Sequence, residues 1–215
     1  VVSWDFALGI APGWHTTIFA PYFVAGAIHS GLAMVLTLMI PLRKIFNYQN
    51  IITKEVLENV AKTIVFTGLI VGFAYATEFF IAWYSQNSVE IEQFRWRAFG
   101  DYRWGFFFMV FCNTLTPLLF LFKKIRTTVA TLFIISLIVN FGMWWERFVI
   151  IVGGVARGFS PHAWGLYAPT MIEYGIMLGA FSLFFFFFLL FAKHLPSVSM
   201  TEMKETLDHG GSHAG

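Results

Sequence analysis

Asn140-Phe-Gly-Met-Trp-Trp-Glu-Arg-Phe-Val-Ile-Ile151 is the stretch on which the reading of this chain turns. It closes an apolar run that opens near Val129, and it sets Glu146 and Arg147 side by side. A charge in hydrocarbon costs about 3 kcal/mol or more. Either the helix has ended before this pair, or the pair has a reason to stay inside.

Composition decides the class. The 215 residues are 58% hydrophobic and only 12% charged, with mean hydropathy +0.70. Soluble globular chains carry about 25% charged residues. The expectation is an all-α, polytopic transmembrane bundle. The net charge of +2 gives no sign of a nucleic-acid partner. The single cysteine, Cys112, lies in an apolar run and reads as a buried, inert thiol.

A membrane crossing needs about 20 helical residues. Five runs reach that length: 16–42, 64–84, 104–122, 128–152 and 170–193. A more polar lead-in, 52–62, precedes the second and is placed at the interface. The segment 1–196 is read as the bundle and 197–215 as a polar, disordered tail. The chain opens on Val-Val-Ser-Trp, which suggests a longer N-terminal part before it.

Arg43, Lys44, Lys54, Lys62, Lys123, Lys124, Arg126, Lys193 and Lys204 outnumber Arg95, Arg97, Arg103, Arg147 and Arg157 on the other side. The larger set marks the cytoplasmic face, which puts the C-terminus inside. The outer loops, 85–103 and 153–169, are rich in Trp, Arg and Tyr. They read either as an interfacial aromatic belt or as a surface for a protein partner.

Embedded polar residues sort by depth. Glu78 lies six positions before Tyr84, about 9 Å below the outer helix end at 1.5 Å per residue. Glu146 and Arg147 fall at a similar depth, with His15, Asp101, Arg103 and Glu173 at the rim above. Adjacent helical positions point about 100° apart, so Glu146 and Arg147 should each find a partner on another helix, and Arg147 with Glu78 is the expected match. His29, Asn113 and Asn140 form a second layer near the midplane, and Tyr75 is one turn below Glu78. Such residues either hold helices together through buried hydrogen bonds or carry protons. The run of phenylalanines from Phe184 to Phe188 reads as a lipid-facing or packing surface. A bis-histidine di-haem reading needs four deep histidines, and only His29 is deep. His15 and His162 lie at the outer rim, His194 at the inner rim, and His209 and His213 in the tail. There is no Cys-x-x-Cys-His, and one cysteine cannot hold an iron–sulfur cluster.

Several ordered pieces carry a resemblance: Pro12-Gly-Trp-His-Thr-Thr-Ile-Phe-Ala-Pro-Tyr-Phe-Val-Ala-Gly-Ala-Ile28, Thr77-Glu-Phe-Phe-Ile-Ala-Trp-Tyr-Ser85, Cys112-Asn-Thr-Leu-Thr-Pro117, Asn140-Phe-Gly-Met-Trp-Trp-Glu-Arg-Phe148, and Leu195-Pro-Ser-Val-Ser199 before Glu202-Met-Lys204. The chain resembles the C-terminal half of an NrfD/PsrC-like integral membrane subunit, most closely the ActC type of bacterial alternative complex III. It is less similar to the ActF type, where Pro-His-Trp tends to stand in place of Pro-Gly-Trp-His. The resemblance implies a ten-helix subunit in a bacterial inner membrane, of which this chain is spans six to ten. It implies a respiratory or photosynthetic quinol oxidoreductase that oxidises menaquinol near the outer face. Iron–sulfur and cytochrome c subunits would sit on the periplasmic side, beside a second NrfD-like membrane subunit and lipids. This segment would bind no redox cofactor itself; the clusters and c-type haems belong to partners.

The site residues expected on that basis are Glu78, Glu146 and Arg147 on the quinol and proton side. His29, Tyr75, Asn113 and Asn140 form a proton path, and His15, Arg97, Asp101 and Arg103 support the pocket or a partner. Two other readings stand beside this one. The chain could be a scaffold that anchors extrinsic redox subunits through Arg95, Arg97 and Arg103. It could also be a proton-coupled transporter, for which Pro21, Pro41 and Pro117 are the only broken-helix signals.

Overall fold

A computed structural model describes residues 1–156, 162 and 164–195. The tail at 197–215, with Lys204, His209 and His213, lies outside the described residues, as does Arg157. The described chain is helical without strands. Five helical stretches are long and apolar enough to cross a membrane: Phe19–Ile45, Lys54–Ser85, Arg103–Leu121, Val129–Ala156 and Met171–His194. The chain is an all-α, multi-pass membrane protein.

The chain divides into two units, Val1–Leu166 and Tyr167–Gly215. The first holds α1 (Val2–Ala7), α2 (Phe19–Ile45), α3 (Lys54–Ser85), α4 (Ser88–Phe99) and α5 (Arg103–Val110), then α6 (Thr116–Leu118), α7 (Lys123–Arg126) and α8 (Val129–Ala156). Helix α3 starts at Thr53, whose hydroxyl accepts from the Val56 N–H. The polar lead-in at 52–62 joins it: its residues from Lys54 on are continuous with the span. Helix α3 stops where Gln86 takes a left-handed conformation, at φ 54°. Asn87 then caps α4 through Oδ1 to the Val89 N–H at 3.1 Å.

The third span is irregular. Between α5 and α6 the chain widens into a π turn over Phe111–Leu115. Pro117 follows and has no N–H to give the preceding turn. The Thr116 side chain answers by donating to the Phe111 carbonyl at 3.0 Å. Insertions of this kind recur at functional positions in helices, and this one carries Asn113.

Two apolar cores fill the first unit. One joins Ala33, Leu36, Leu57, Ala61, Ile64, Phe120, Leu132, Ile135 and Val139. The other joins Phe19, Tyr22, Val71, Ala74, Phe106, Met109, Val149 and Ile150. Between them in sequence, each of the four spans carries its buried polar residue: His29 on α2, Thr67 on α3, Asn113 on the π turn and Glu146 on α8. Buried polar residues thus interrupt the apolar packing between the two cores, and Ser136 and Glu78 are further buried polar residues on α8 and α3.

The second unit holds α9 (Met171–His194). Thr170 and Glu173 close a capping box at its start: the Thr170 N–H donates to Glu173 Oε2 at 2.6 Å, and the Glu173 N–H to Thr170 Oγ1 at 3.4 Å. The Tyr167 hydroxyl donates to the same carboxylate at 2.6 Å, a bond that pushes this phenol above its ordinary range. Glu173 was expected among the rim charges. It is spent on its own helix.

Candidate functional site

Glu146 is fully buried. The Tyr22 hydroxyl on α2 donates to its Oε1 at 2.8 Å. Its Oε2 accepts from the Tyr75 hydroxyl on α3 and from Asn113 Nδ2 at 2.9 Å. Asn113 Nδ2 also lies 3.0 Å from the Tyr75 oxygen. One carboxylate on α8 is thus bonded to every other span of the unit. Gly142, one turn earlier, lets the π turn come close: a methyl group there would collide with Asn113 Oδ1 and with Cys112. Tyr22 is a site residue that the sequence reading passed over, because an aromatic near a span end looks like interfacial belt.

The expected pairing of Arg147 with Glu78 does not form. Arg147 Nη1 stands 3.6 Å from Oε1 of its own neighbour, Glu146. Its guanidinium covers the Phe23 ring at 3.8 Å. The long side chain turns back over α2 because Gly26 leaves it room: a Cβ there would lie 3.3 Å from Arg147 Nη2. The 100° between adjacent positions constrains Cβ directions, and four further bonds absorb it.

Glu78 is held by Arg97 instead, with Nη1 to Oε2 at 3.6 Å and both side chains buried. Helix α4 explains the exchange. Glu90, Gln93, Phe94 and Arg97 recur at helical spacing and are buried on one face. Phe94 packs edge-on to Phe79 of α3 at 5.1 Å and lies under the Arg97 guanidinium at 4.7 Å. The outer loop at 85–103 is therefore folded onto the bundle. Arg97 is buried on this face, whereas Arg95 and Arg103 are exposed.

At the rim, His15 Nε2 meets Glu90 Oε1 at 2.9 Å, and the Ser85 hydroxyl donates to Glu90 Oε2 at 3.3 Å. Gln93 Nε2 reaches the Gly153 carbonyl at 3.5 Å, and the Trp14 indole donates to the Ile150 carbonyl at 3.2 Å. The segment before α2 is so tied to α4 and α8. Glu90 and Gln93 were missed; their spacing with Phe94 and Arg97 was the available signal. Asp101 accepts from the Trp96 indole at 3.4 Å, and the Arg103 guanidinium lies 5.5 Å from the Trp104 ring centre.

The expected midplane layer of His29, Asn113 and Asn140 is divided. Asn113 belongs to Glu146. Asn140 Nδ2 donates to Thr37 Oγ1 at 2.9 Å, and the Thr37 hydroxyl donates to the Ala33 carbonyl at 2.9 Å, with Ser136 Oγ at 3.0 Å. This is a separate α2–α8 contact. His29 is fully buried, with Nδ1 2.9 Å from Thr67 Oγ1. The one Thr67 hydroxyl proton goes to the Thr63 and Ile64 carbonyls, at 3.0 and 3.2 Å. In the tautomer that donates from His29 Nδ1 to Thr67 Oγ1, Nε2 keeps its lone pair. Among the described residues Nε2 has no hydrogen-bond partner. Gly68 admits the ring: a Cβ there would stand 3.1 Å from His29 Cε1 and 3.4 Å from the Asn113 carbonyl.

A buried carboxylate bonded to three other spans, a second beside a buried guanidinium, and a histidine whose Nε2 has no hydrogen-bond partner among the described residues make a group of buried ionisable side chains in a membrane bundle. A comparison with curated proteins gives no match. The model of the family described as polysulphide reductase, NrfD, matches residues 4–157, which include every residue of the Glu146 and Glu78 sites. Members of that family are membrane subunits of quinone-interacting oxidoreductase complexes and partner with iron–sulfur subunits. The match covers most of the chain and all four spans that build the site, and the chain belongs to the polysulphide reductase NrfD family.

Proposed function

We propose that the chain is part of the quinol-oxidising membrane arm of a complex of the alternative complex III type. It helps form the menaquinol site and carries quinol protons toward the outer face. Electrons leave through an iron–sulfur partner to c-type haems, none of them held by this segment. The C-terminus is cytoplasmic in a bacterial inner membrane, and a second NrfD-like subunit lies alongside.

Oxidation of a quinol releases two protons and two electrons, so the site needs a proton acceptor near the hydroxyl and a route to water. The observation that supports the reading is the buried Glu146 carboxylate with its two phenols. Each phenol can donate and accept, so Tyr75 and Tyr22 can pass a proton to or from Glu146. Glu78 with Arg97, and then Glu90 with His15, mark successive acidic positions toward the rim. Arg147 offsets the Glu146 charge at 3.6 Å without occupying hydrogen-bond distance. His29, with its free Nε2, serves the inner end of the route, and Asn140 is left outside it.

The test is Glu146→Gln and Glu78→Gln in the intact complex, with quinol turnover and proton release measured together. Loss of a positioned proton acceptor lowers turnover by about 100-fold or more. Normal assembly with unchanged turnover and unchanged proton release in both variants sinks the proposal.

A further inference from the structure

On the outside of the first unit, α5 and α8 leave a groove of about 330 Å³ lined by Trp104, Gly105, Phe108, Phe141 and Trp145. Gly105 forms its floor and brings the helices together: the Trp145 indole N–H donates to the Gly105 carbonyl at 3.1 Å. That bond occupies the Trp145 indole N–H, and the surface that the lining residues present to the groove is apolar. The rings are fixed by one another. Trp145 stacks on Phe148 at 5.2 Å and lies parallel to Phe141, and Phe108 meets Phe141 edge-on at 5.8 Å.

One end of this groove is charged. Arg103 opens the span, is exposed, and holds its guanidinium over Trp104, the outermost wall. Asp101, two positions earlier, is turned to the Trp96 indole. Helix α5 starts without a side-chain cap; its Arg103 N–H donates to the Gly100 carbonyl at 3.2 Å, and the N–H groups of Trp104 and Gly105 follow at the same end. An apolar slot that begins one residue inside a cation at the span's start fits an amphiphile: an anionic group outside and a hydrocarbon chain running inward. The slot covers residues 104–108 and 141–145, about 6 Å along each helix. That is one turn, enough for the upper part of an acyl chain and too short to seat the face of another helix.

We propose that this groove binds one acyl chain of an anionic phospholipid, with the phosphate on Arg103. Arg103 supplies charge-assisted hydrogen bonds to the phosphate, and the rings of Phe108, Phe141 and Trp145 bury the chain. The site is independent of quinol chemistry.

The experiment uses the intact complex in bilayers doped with phosphatidylglycerol carrying a diazirine in the upper acyl chain, compared with a phosphatidylcholine probe of the same chain. After irradiation, labelled peptides are mapped by mass spectrometry. The anionic probe is expected to label 104–108 and 141–145 about fivefold more than the zwitterionic one. Arg103→Gln, an exposed position, should bring the two probes level without changing the thermal midpoint. Gly105→Leu, which fills the floor, should lower labelling by both. Equal labelling by the two lipids in the unaltered protein overturns the proposal. So does an absence of label on both peptides, as when another transmembrane segment covers them, or preferential labelling by a diazirine-bearing quinone. Undiminished label in Gly105→Leu likewise removes the chain from the groove.

Discussion

Glu146 should hold its four-span layer together through its oxygens more than through its charge, and two substitutions separate the contributions. Glu146→Ala removes the acceptor of three hydrogen bonds, from Tyr22 at 2.8 Å, Asn113 at 2.9 Å and Tyr75. Buried hydrogen bonds between membrane helices are worth about 0.6–1.7 kcal/mol each, so the loss comes to about 2–5 kcal/mol. Glu146→Gln keeps most of them. With the amide oxygen in the Oε2 position, Tyr75 and Asn113 still donate. With the amide nitrogen at Oε1, the Tyr22 hydroxyl reverses and accepts. What is lost is the anion beside Arg147, whose guanidinium is 3.6 Å away and partly exposed, a contribution of about 1 kcal/mol. Equilibrium unfolding in bicelles should therefore rank wild type above Gln by about 1 kcal/mol and Gln above Ala by about 2–5 kcal/mol. Quinol turnover is expected to follow another order, with Gln as inactive as Ala. An Ala variant within about 0.5 kcal/mol of wild type would show that the three donors do not depend on this carboxylate, and the account of the layer would fail.

Arg97→Gln leaves the Glu78 carboxylate buried without its cation and should cost about 3–5 kcal/mol; adding Glu78→Gln should recover most of it, read from the same unfolding curves. Gly142→Ala drives a methyl into Asn113 and Cys112 and should destabilise by about 1–3 kcal/mol, whereas Gly153→Ala, which meets open space, should be neutral. Asn140→Ala loses the Thr37 bond and should cost about 0.6–1.7 kcal/mol in unfolding while quinol turnover stays at the wild-type rate.

The helices were legible because hydrocarbon imposes a length and a composition on anything that crosses it. Their ends were less so. Helix α3 begins at Lys54, ten residues before the apolar run, since a Thr53 cap and ordinary helix formers need no hydropathy to continue a helix. That Glu78 and Glu146 would be buried was legible as well, because both fall well inside apolar runs. Azimuth was not. Whether Glu78 meets Arg147 or Arg97 depends on how α4 folds back, and Phe79, Phe94 and Gly26 decide that through contacts far apart in sequence. The π turn was hidden for a similar reason. Pro117 signals a break, but which way Asn113 then points is fixed by Gly142 on another helix.

The two acid–base pairs have a common construction that bears on what they do. In each, guanidinium and carboxylate stand 3.6 Å apart, beyond a short charge-assisted bond, and in each the guanidinium lies over a phenylalanine ring, Phe23 for Arg147 and Phe94 for Arg97. A salt bridge built for stability would close that gap and use both carboxylate oxygens. Here the cation offsets the charge from the side, and at Glu146 the oxygens are left to phenols and an amide. A cation on a ring cannot take up a proton, and a carboxylate bonded to hydroxyls can exchange one. The charge is compensated by one set of groups and the oxygens are addressed by another, so protonation at Glu146 can change without dismantling the contact that holds Arg147.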